Sequence, residues 1–430
     1  MKFVPIKMKY LFICLILLSI PANAKPLFTW SQVVNNNQLS VRAIVLEDEQ
    51  CPIVNVDDQE LEMSVRAFPQ KGVFNDKVCE LLVPQTTSLI SIDNVDLPVI
   101  SRKIRKIAVI GDTGCIVSLW GTRLSQQHCM SSEEWPLKKI LSNISAHNPD
   151  LVIHVGDYLY RAVQCIDVER CGNVYGDNSE TWKADWLDPS MLLSGKAPFL
   201  FVRGNHENCD RSYMGWFRYL DPYQYSSSSD RCQNFTDSWE FNARELDSKN
   251  IDFYIFDSSF GNEKNVLDSD IEHLKKQFLP LLKSKSSSVW FLTHRPVWSY
   301  AVLKGKAGNL YYGNLAQQEA FGDLFPDNVS VILSGHVHLS QVLDLKSKKQ
   351  KHIPMQIIVG NSGALLHAVP KDMLLFEDVE MGDVVANTVK SDLGFGFTIV
   401  EIQESKDVDN VMVTFYNSSG EKVRQFYTKS

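Results

Sequence analysis

The chain has 430 residues, 44% of them hydrophobic and 22% charged, and a formal net charge of −8. That is enough apolar material for a sizeable core, shared between one large domain and a small one. The acidic balance repels phosphate backbones, so no nucleic-acid-binding surface is expected.

Residues 1–24 read as a signal peptide. Lys2, Lys7 and Lys9 precede the apolar run Tyr10 to Ile20, which is too short to cross a bilayer comfortably, and Ala22-Asn23-Ala24 supplies small residues for cleavage. Cleavage near Ala24 removes three lysines and no acid, moving the net charge from −8 to −11. The alternative is an uncleaved anchor, but no stop-transfer pattern follows and no later stretch makes a stable membrane span. The mature chain is expected to be secreted or periplasmic. Its eight remaining cysteines, Cys51, Cys79, Cys115, Cys129, Cys165, Cys171, Cys209 and Cys232, imply disulfides in such a compartment. Sequential pairing, which closes short local loops, is the simplest of many connectivities. The absence of any CxxC speaks against a zinc cluster.

Residues 25–103 hold short β-forming runs (LSVRAIVL, LEMSVRAF, VCELLVP) separated by turn residues, and predict a small N-terminal all-β domain stapled by Cys51 and Cys79. From 104 to 430 strands alternate with helices. Ser131 with Glu134 predicts a capping box ahead of a helix to about His147, with Pro136 in its first turn. Asp268 predicts the cap of a second helix reaching about Leu282, and 314–324 a third. Later strands fall at IDFYIF, QIIVG, FTIVEI and VMVTFY. Residues 161–190 and 207–250 read as long, polar, cysteine-bearing loops of the kind that shape the mouth of a site.

Five motifs stand in order: Gly111-Asp112-Thr113-Gly114, Gly156-Asp157-Tyr158-Leu159-Tyr160, Gly204-Asn205-His206-Glu207, Thr293-His294-Arg295-Pro296 and Gly335-His336-Val337-His338. The runs before them are KIAVI, LVIHV, FLFV, VWFL and VSVIL. Any one alone is an ordinary turn. Together they place hard oxygen donors and imidazoles at strand ends, as a two-metal hydrolytic centre requires. His154, inside an apolar run, reads as buried structure.

The motif order over residues 106–338 resembles the calcineurin-like metallophosphoesterase superfamily, and within it most the purple acid phosphatases. That resemblance implies a four-layer α/β/β/α sandwich with the site at the strand ends, accompanied by an N-terminal β domain. Many members carry a histidine where this chain has Gly114, and Tyr160 stands where purple acid phosphatases place a tyrosinate. A phenolate suits Fe(III), because its reference pKa of about 10 demands a strongly Lewis-acidic ion. The implied ligands are Asp112, Tyr160, His338 and bridging Asp157 for one metal, and Asp157, Asn205, His294 and His336 for the other. Two metal ions are thus expected: Fe(III) at the Tyr160 position, with Fe, Zn or Mn at the second.

By the same resemblance His206 faces the substrate and stabilises or protonates the leaving oxygen; the alternative is a supporting role held by Glu207. Arg161 and Arg295 flank ligands and are candidates for phosphate contact. The expected function is a secreted phosphatase that hydrolyses a small phosphate monoester through a metal-activated hydroxide. The alternatives are a phosphodiesterase or nucleotide phosphohydrolase with the same centre, or a non-catalytic secreted binding protein on this fold.

Overall fold

The structure, a computed structural model, describes residues 25–120, 123–225, 232–264, 266–302, 310–322, 324–349, 352–367, 375–403 and 410–429. The signal-peptide reading over 1–24 lies outside them.

Two large sheets are built around the apolar runs. Lys106–Ile110, Leu151–His154 and Phe199–Phe201 pair in parallel in a ten-stranded sheet. Asp252–Phe256, Val289–Thr293, Val329–Ser334 and Met355–Val359 pair in parallel in an eight-stranded sheet. These strands are nearly continuous in β-branched and aromatic residues because both faces are covered. Between the sheets, Ile107, Val109 and Ile153 pack in one cluster with Phe253, Leu292 and Leu333. The outer face of the first sheet carries the helix Leu137–Ala146, with Ile140 and Ile144 packed beside Trp182 and Trp186. The outer face of the second carries Asp268–Phe278 and Leu315–Phe321. The result is the expected α/β/β/α sandwich.

The helix ends differ from expectation. Ser131 Oγ accepts from the amides of Glu133 and Glu134, but this caps a turn; the helix starts at Leu137, just after Pro136. Phe278 ends the second helix, two residues ahead of Pro280, a residue that cannot continue it. The stretch 161–190 is not simply loop. Ser179–Trp182, Lys183–Leu187 and Asp188–Ser194 follow one another as helical turns and bury Trp182, Trp186 and Leu193.

Residues 25–103 are β-rich as expected, and they share a sheet with strands that precede three of the five motifs. Phe28–Val34 runs parallel to Phe199–Phe201, with Gln32 opposite Phe199, and Gln38–Leu46, Asp76–Pro84 and Ser64–Ala67 extend the ten-stranded sheet beyond it. Ile53–Val56, Gln59–Glu62, Ile90–Ile92 and Val95–Leu97 form a separate four-stranded sheet. The cysteines pair sequentially: Cys51–Cys79, Cys115–Cys129, Cys165–Cys171 and Cys209–Cys232. No helix among the described residues is long and apolar enough to cross a membrane.

Candidate metal centre

The parallel strands of both sheets end at one edge, and five of the loops leaving them carry the motifs. Each loop turns sharply. Asp112, Asp157 and His336 all take positive φ, at 54°, 62° and 69°. Such a conformation costs a residue with a side chain roughly 1–3 kcal/mol and persists only where the surroundings enforce it. Here they do. The amide of Asp112 donates to Gly156 O at 2.9 Å, and that of His336 to the Asp112 carboxylate at 2.8 Å. Gly114 matters for a different reason. A Cβ there would fall 2.5 Å from Tyr158 O and 2.9 Å from the Tyr160 ring. The room a histidine would need is already filled by the Tyr158–Tyr160 loop.

The seven predicted ligands come together. Tyr160 Oη lies 2.8 Å from both Asp112 Oδ1 and Asp157 Oδ2, and 3.0 Å from His338 Nε2. His338 Nε2 is also 3.4 Å from Asp112 Oδ1. On the other side of Asp157, His294 Nε2 is 3.2 Å from Asp157 Oδ1 and 3.0 Å from Asn205 Oδ1. Asp157, His294 and His336 each offer a ligand atom within 4.8 Å of the others. Asp157 therefore sits between two donor groups, with one carboxylate oxygen toward each.

The imidazoles are held by their far nitrogens. Nδ1–H of His294 donates to Val155 O at 2.8 Å, that of His338 to Leu365 O at 2.6 Å, and that of His206 to Leu159 O at 3.0 Å. Each ring thus turns Nε2 inward, the tautomer a ligating or proton-handling histidine needs. His336 is the exception, bonded through Nε2 to Glu263 at 2.9 Å.

Electrostatics suits cations. Asp112 and Asp157 are essentially fully buried, and among the described residues neither pairs with lysine or arginine. Burial and the two neighbouring carboxylates push the Tyr160 phenol well above its usual range. Burial alone would lower His294, but Asp157 outweighs it and lifts the ring to about 9. Among the described residues, imidazoles, the phenol O–H and backbone amides are what faces these carboxylates. Buried carboxylates without a fixed counterion are costly. Cations that displaced the imidazole and phenol protons would relieve that cost, and the hard-oxygen and imidazole donors fit such ions.

His206 lies against the cluster, its ring centroid 3.8 Å from that of Tyr160 and its Nε2 3.9 Å from Asp157 Oδ2. It also borders a cavity of about 390 Å³ walled by Ser118, Leu159, Ala162, Asp177 and Arg211. The two arginines are committed elsewhere. Arg161 is buried, its Nε 2.6 Å from Asp185 and one Nη donating to Cys171 O. Arg295 Nε is 2.8 Å from Glu263, and its Nη1 donates to Phe260 O and Gly261 O. Both guanidinium groups are thus engaged by protein groups through Nε and Nη1, and Arg161 also lines that cavity. His154 is fully buried and bonds Thr113 Oγ1 at 2.9 Å.

Three further residues join the site. Glu207, buried, receives the amides of Asp157, Tyr158 and Leu159 and so fixes the loop that carries the bridging position. His367 stacks on His338 at 4.5 Å and accepts its amide. Glu263 holds His336. Glu207 was visible beside the Gly204-Asn205-His206 motif, though its target was not. Nothing in sequence marks Glu263 or His367.

A family model described as calcineurin-like phosphoesterase matches residues 105–340. No curated protein matches the chain. Among solved structures, purple acid phosphatase PPD1 from yellow lupin (Lupinus luteus) seeds is similar in fold, with 14% identity and a TM-score of 0.60, over 94% of this chain and 74% of that one. A structure of PhoD aligns over 95% and 93% of the two chains at 10% identity, with a TM-score of 0.49.

Proposed function

The chain belongs to the calcineurin-like phosphoesterase family and is a metal-dependent phosphoesterase, and from that premise we propose that it hydrolyses small phosphate monoesters at a dinuclear centre, in a secreted or periplasmic compartment. Residues 104–430 would be the catalytic domain and 25–103 its β extension. Asp112, Tyr160, His338 and Asp157 would hold one cation, and Asp157, Asn205, His294 and His336 the other. Two such cations, when bound, neutralise phosphoryl oxygens and lower the pKa of water towards about 7.

The chain's own residues do the remaining work. Asp157 is kept in its bridging pose by the Glu207 carboxylate under its loop. His206, pinned through Nδ1, presents Nε2 between the cluster and the cavity, where it stabilises or protonates the leaving oxygen. The departing alcohol then occupies that cavity. Arg161 lines that cavity, and Arg295 is held beside Glu263. The four disulfides favour an oxidising compartment.

The contact of Tyr160 Oη with Asp112, Asp157 and His338 carries this reading. It puts a phenol where the glycine at 114 leaves no histidine. The test is metal analysis and visible absorption of metal-replete protein, before and after Tyr160→Phe, with turnover of monoester and diester chromogenic substrates. A purple or pink band lost in Tyr160→Phe places Fe(III) on the phenolate; a colourless active enzyme places zinc or manganese there. Preference for the diester would move the reading to a phosphodiesterase. Absence of bound metal, or metal without turnover, would reject it.

A further inference from the structure

His294, His338 and His206 share one device, a backbone carbonyl on Nδ1 that turns Nε2 inward. His336 has the opposite arrangement. Its Nε2 meets Glu263 Oε1 at 2.9 Å, and its Nδ1 has no hydrogen-bond partner among the described residues. Its backbone is in the left-handed region, and its amide is tied to Asp112. The ring is therefore anchored at both ends, with one nitrogen left over.

Glu263 is itself fixed from several sides. It lies in the loop after Asp252–Phe256, its side chain largely buried. Arg295 Nε approaches the same Oε1 at 2.8 Å, and Arg295 is in turn held by Phe260 O and Gly261 O. The Glu263 carbonyl accepts from Leu315 N at 3.2 Å, at the start of the helix Leu315–Phe321. The buried Tyr311 phenol lies near the same carboxylate.

We propose that Glu263 is the positioning residue for His336: its carboxylate holds Nε2–H, fixes the ring as the tautomer with a bare Nδ1, and offers that nitrogen to the second cation. Arg295, the neighbour of His294 in sequence, braces the carboxylate and so links the two histidine loops. A carboxylate behind a ligating imidazole also makes it a stronger donor, and losing such a partner typically costs roughly 10–100-fold in metal affinity. The site thus has one histidine with an anionic support and two with neutral carbonyl supports. The second cation is the one that depends on it. The inference rests on the dinuclear reading only for that cation.

The experiment has two arms. In metal-free wild-type protein, at a pH where the ring is neutral, ¹⁵N NMR of His336 should report Nε2–H and a bare Nδ1. A protonated Nδ1 would overturn the proposal. In buffered free Zn²⁺, Glu263→Gln should need about 10–100-fold more metal to fill one of two sites, with the other unchanged. Wild-type affinity at both sites would overturn it. His336→Ala should lose that same site, and the double variant should lose nothing further. An additional loss would show that Glu263 acts other than through His336 and would also overturn it. If wild-type protein binds fewer than two ions, the dinuclear reading fails, and the tautomer measurement still decides the role of Glu263.

Discussion

Glu80, among the N-terminal strands, and Asp157, at the metal centre, are both carboxylates buried in the same molecule. Glu80 is surrounded by its own counterions. Arg42 Nη2 and Arg66 Nη1 each reach it at 2.9 Å, and Ser40 Oγ donates at 2.6 Å. The spare guanidinium N–H groups go to the carbonyls of Phe217, Arg218, Tyr219, Asp221 and Tyr223. Those carbonyls lie in and just after the helical turn Trp216–Leu220, downstream of the Asn205-His206-Glu207 motif. Burial raises the Glu80 pKa, the two arginines lower it more, and it settles at about 2. Among the described residues, the Asp157 carboxylate is met by histidines, a phenol and a backbone amide, and by no lysine or arginine. A buried carboxylate closed by arginine is finished structure. One surrounded by neutral or titratable donors is unfinished until a cation arrives.

Asp157→Ala is the sharpest way to break that contrast. It removes the carboxylate shared by both donor groups. Both metals should be lost, and turnover should fall by more than the roughly 10²–10³ typical of one lost electrostatic partner. The fold should survive, because no fixed counterion is stranded. Metal content by mass spectrometry and thermal melting decide it; a variant that keeps two metals and near-normal turnover ends the reading. Glu80→Gln should do the reverse. It strands Arg42 and Arg66 without a buried partner, which costs about 3–5 kcal/mol of stability. Metal content per folded chain should not change. A small shift in the urea midpoint would mean the network contributes little.

His206→Ala sharpens the comparison within the site. His206 touches the cluster but donates Nδ1–H to Leu159 O and borders the cavity. Its loss should leave both metals bound while lowering kcat about 10²-fold or more, as expected for a proton-handling group. Loss of metal along with rate would instead make it a ligand support.

These contrasts explain what sequence alone disclosed. The clustering of the seven proposed ligand positions was readable because most of their motifs follow an apolar β run, and strands of one sheet end together. The place of Tyr160 beside Asp112, Asp157 and His338 was readable through Gly114, where the family resemblance implies a missing histidine. The commitments of Arg161 and Arg295 were not. Their partners Asp185 and Glu263 lie 24 positions after the one and 32 before the other, and no local pattern couples them. Likewise, the β-forming runs identified Gln38–Leu46 and Asp76–Pro84 as β territory without naming the sheet they join, and Phe28–Val34 was covered only by the general β expectation for residues 25–103. A parallel pairing of Gln32 with Phe199 is a long-range choice made by packing. The helical turns over 179–194 escaped because they are short, aromatic-rich and interrupted by Pro189.

The smallest expected effect is the acid limb of stability. The Glu80 carboxyl is held below its ordinary value of 4.5, at about 2. A depressed carboxylate contributes stability that is full above its unfolded pKa and is lost as pH falls through the folded one. The wild-type advantage over Glu80→Gln should therefore be constant above about pH 4.5 and shrink between there and about pH 2. The slope can be no steeper than about 1.4 kcal/mol per pH unit for one proton. Urea titrations of the two metal-free proteins across that window measure it, with chelation removing the metal centre's own pH dependence. A gap between them that does not narrow on acidification would show that Glu80 carries no net ionic stabilisation, and the distinction drawn between the two buried carboxylates would then rest on the metal centre alone.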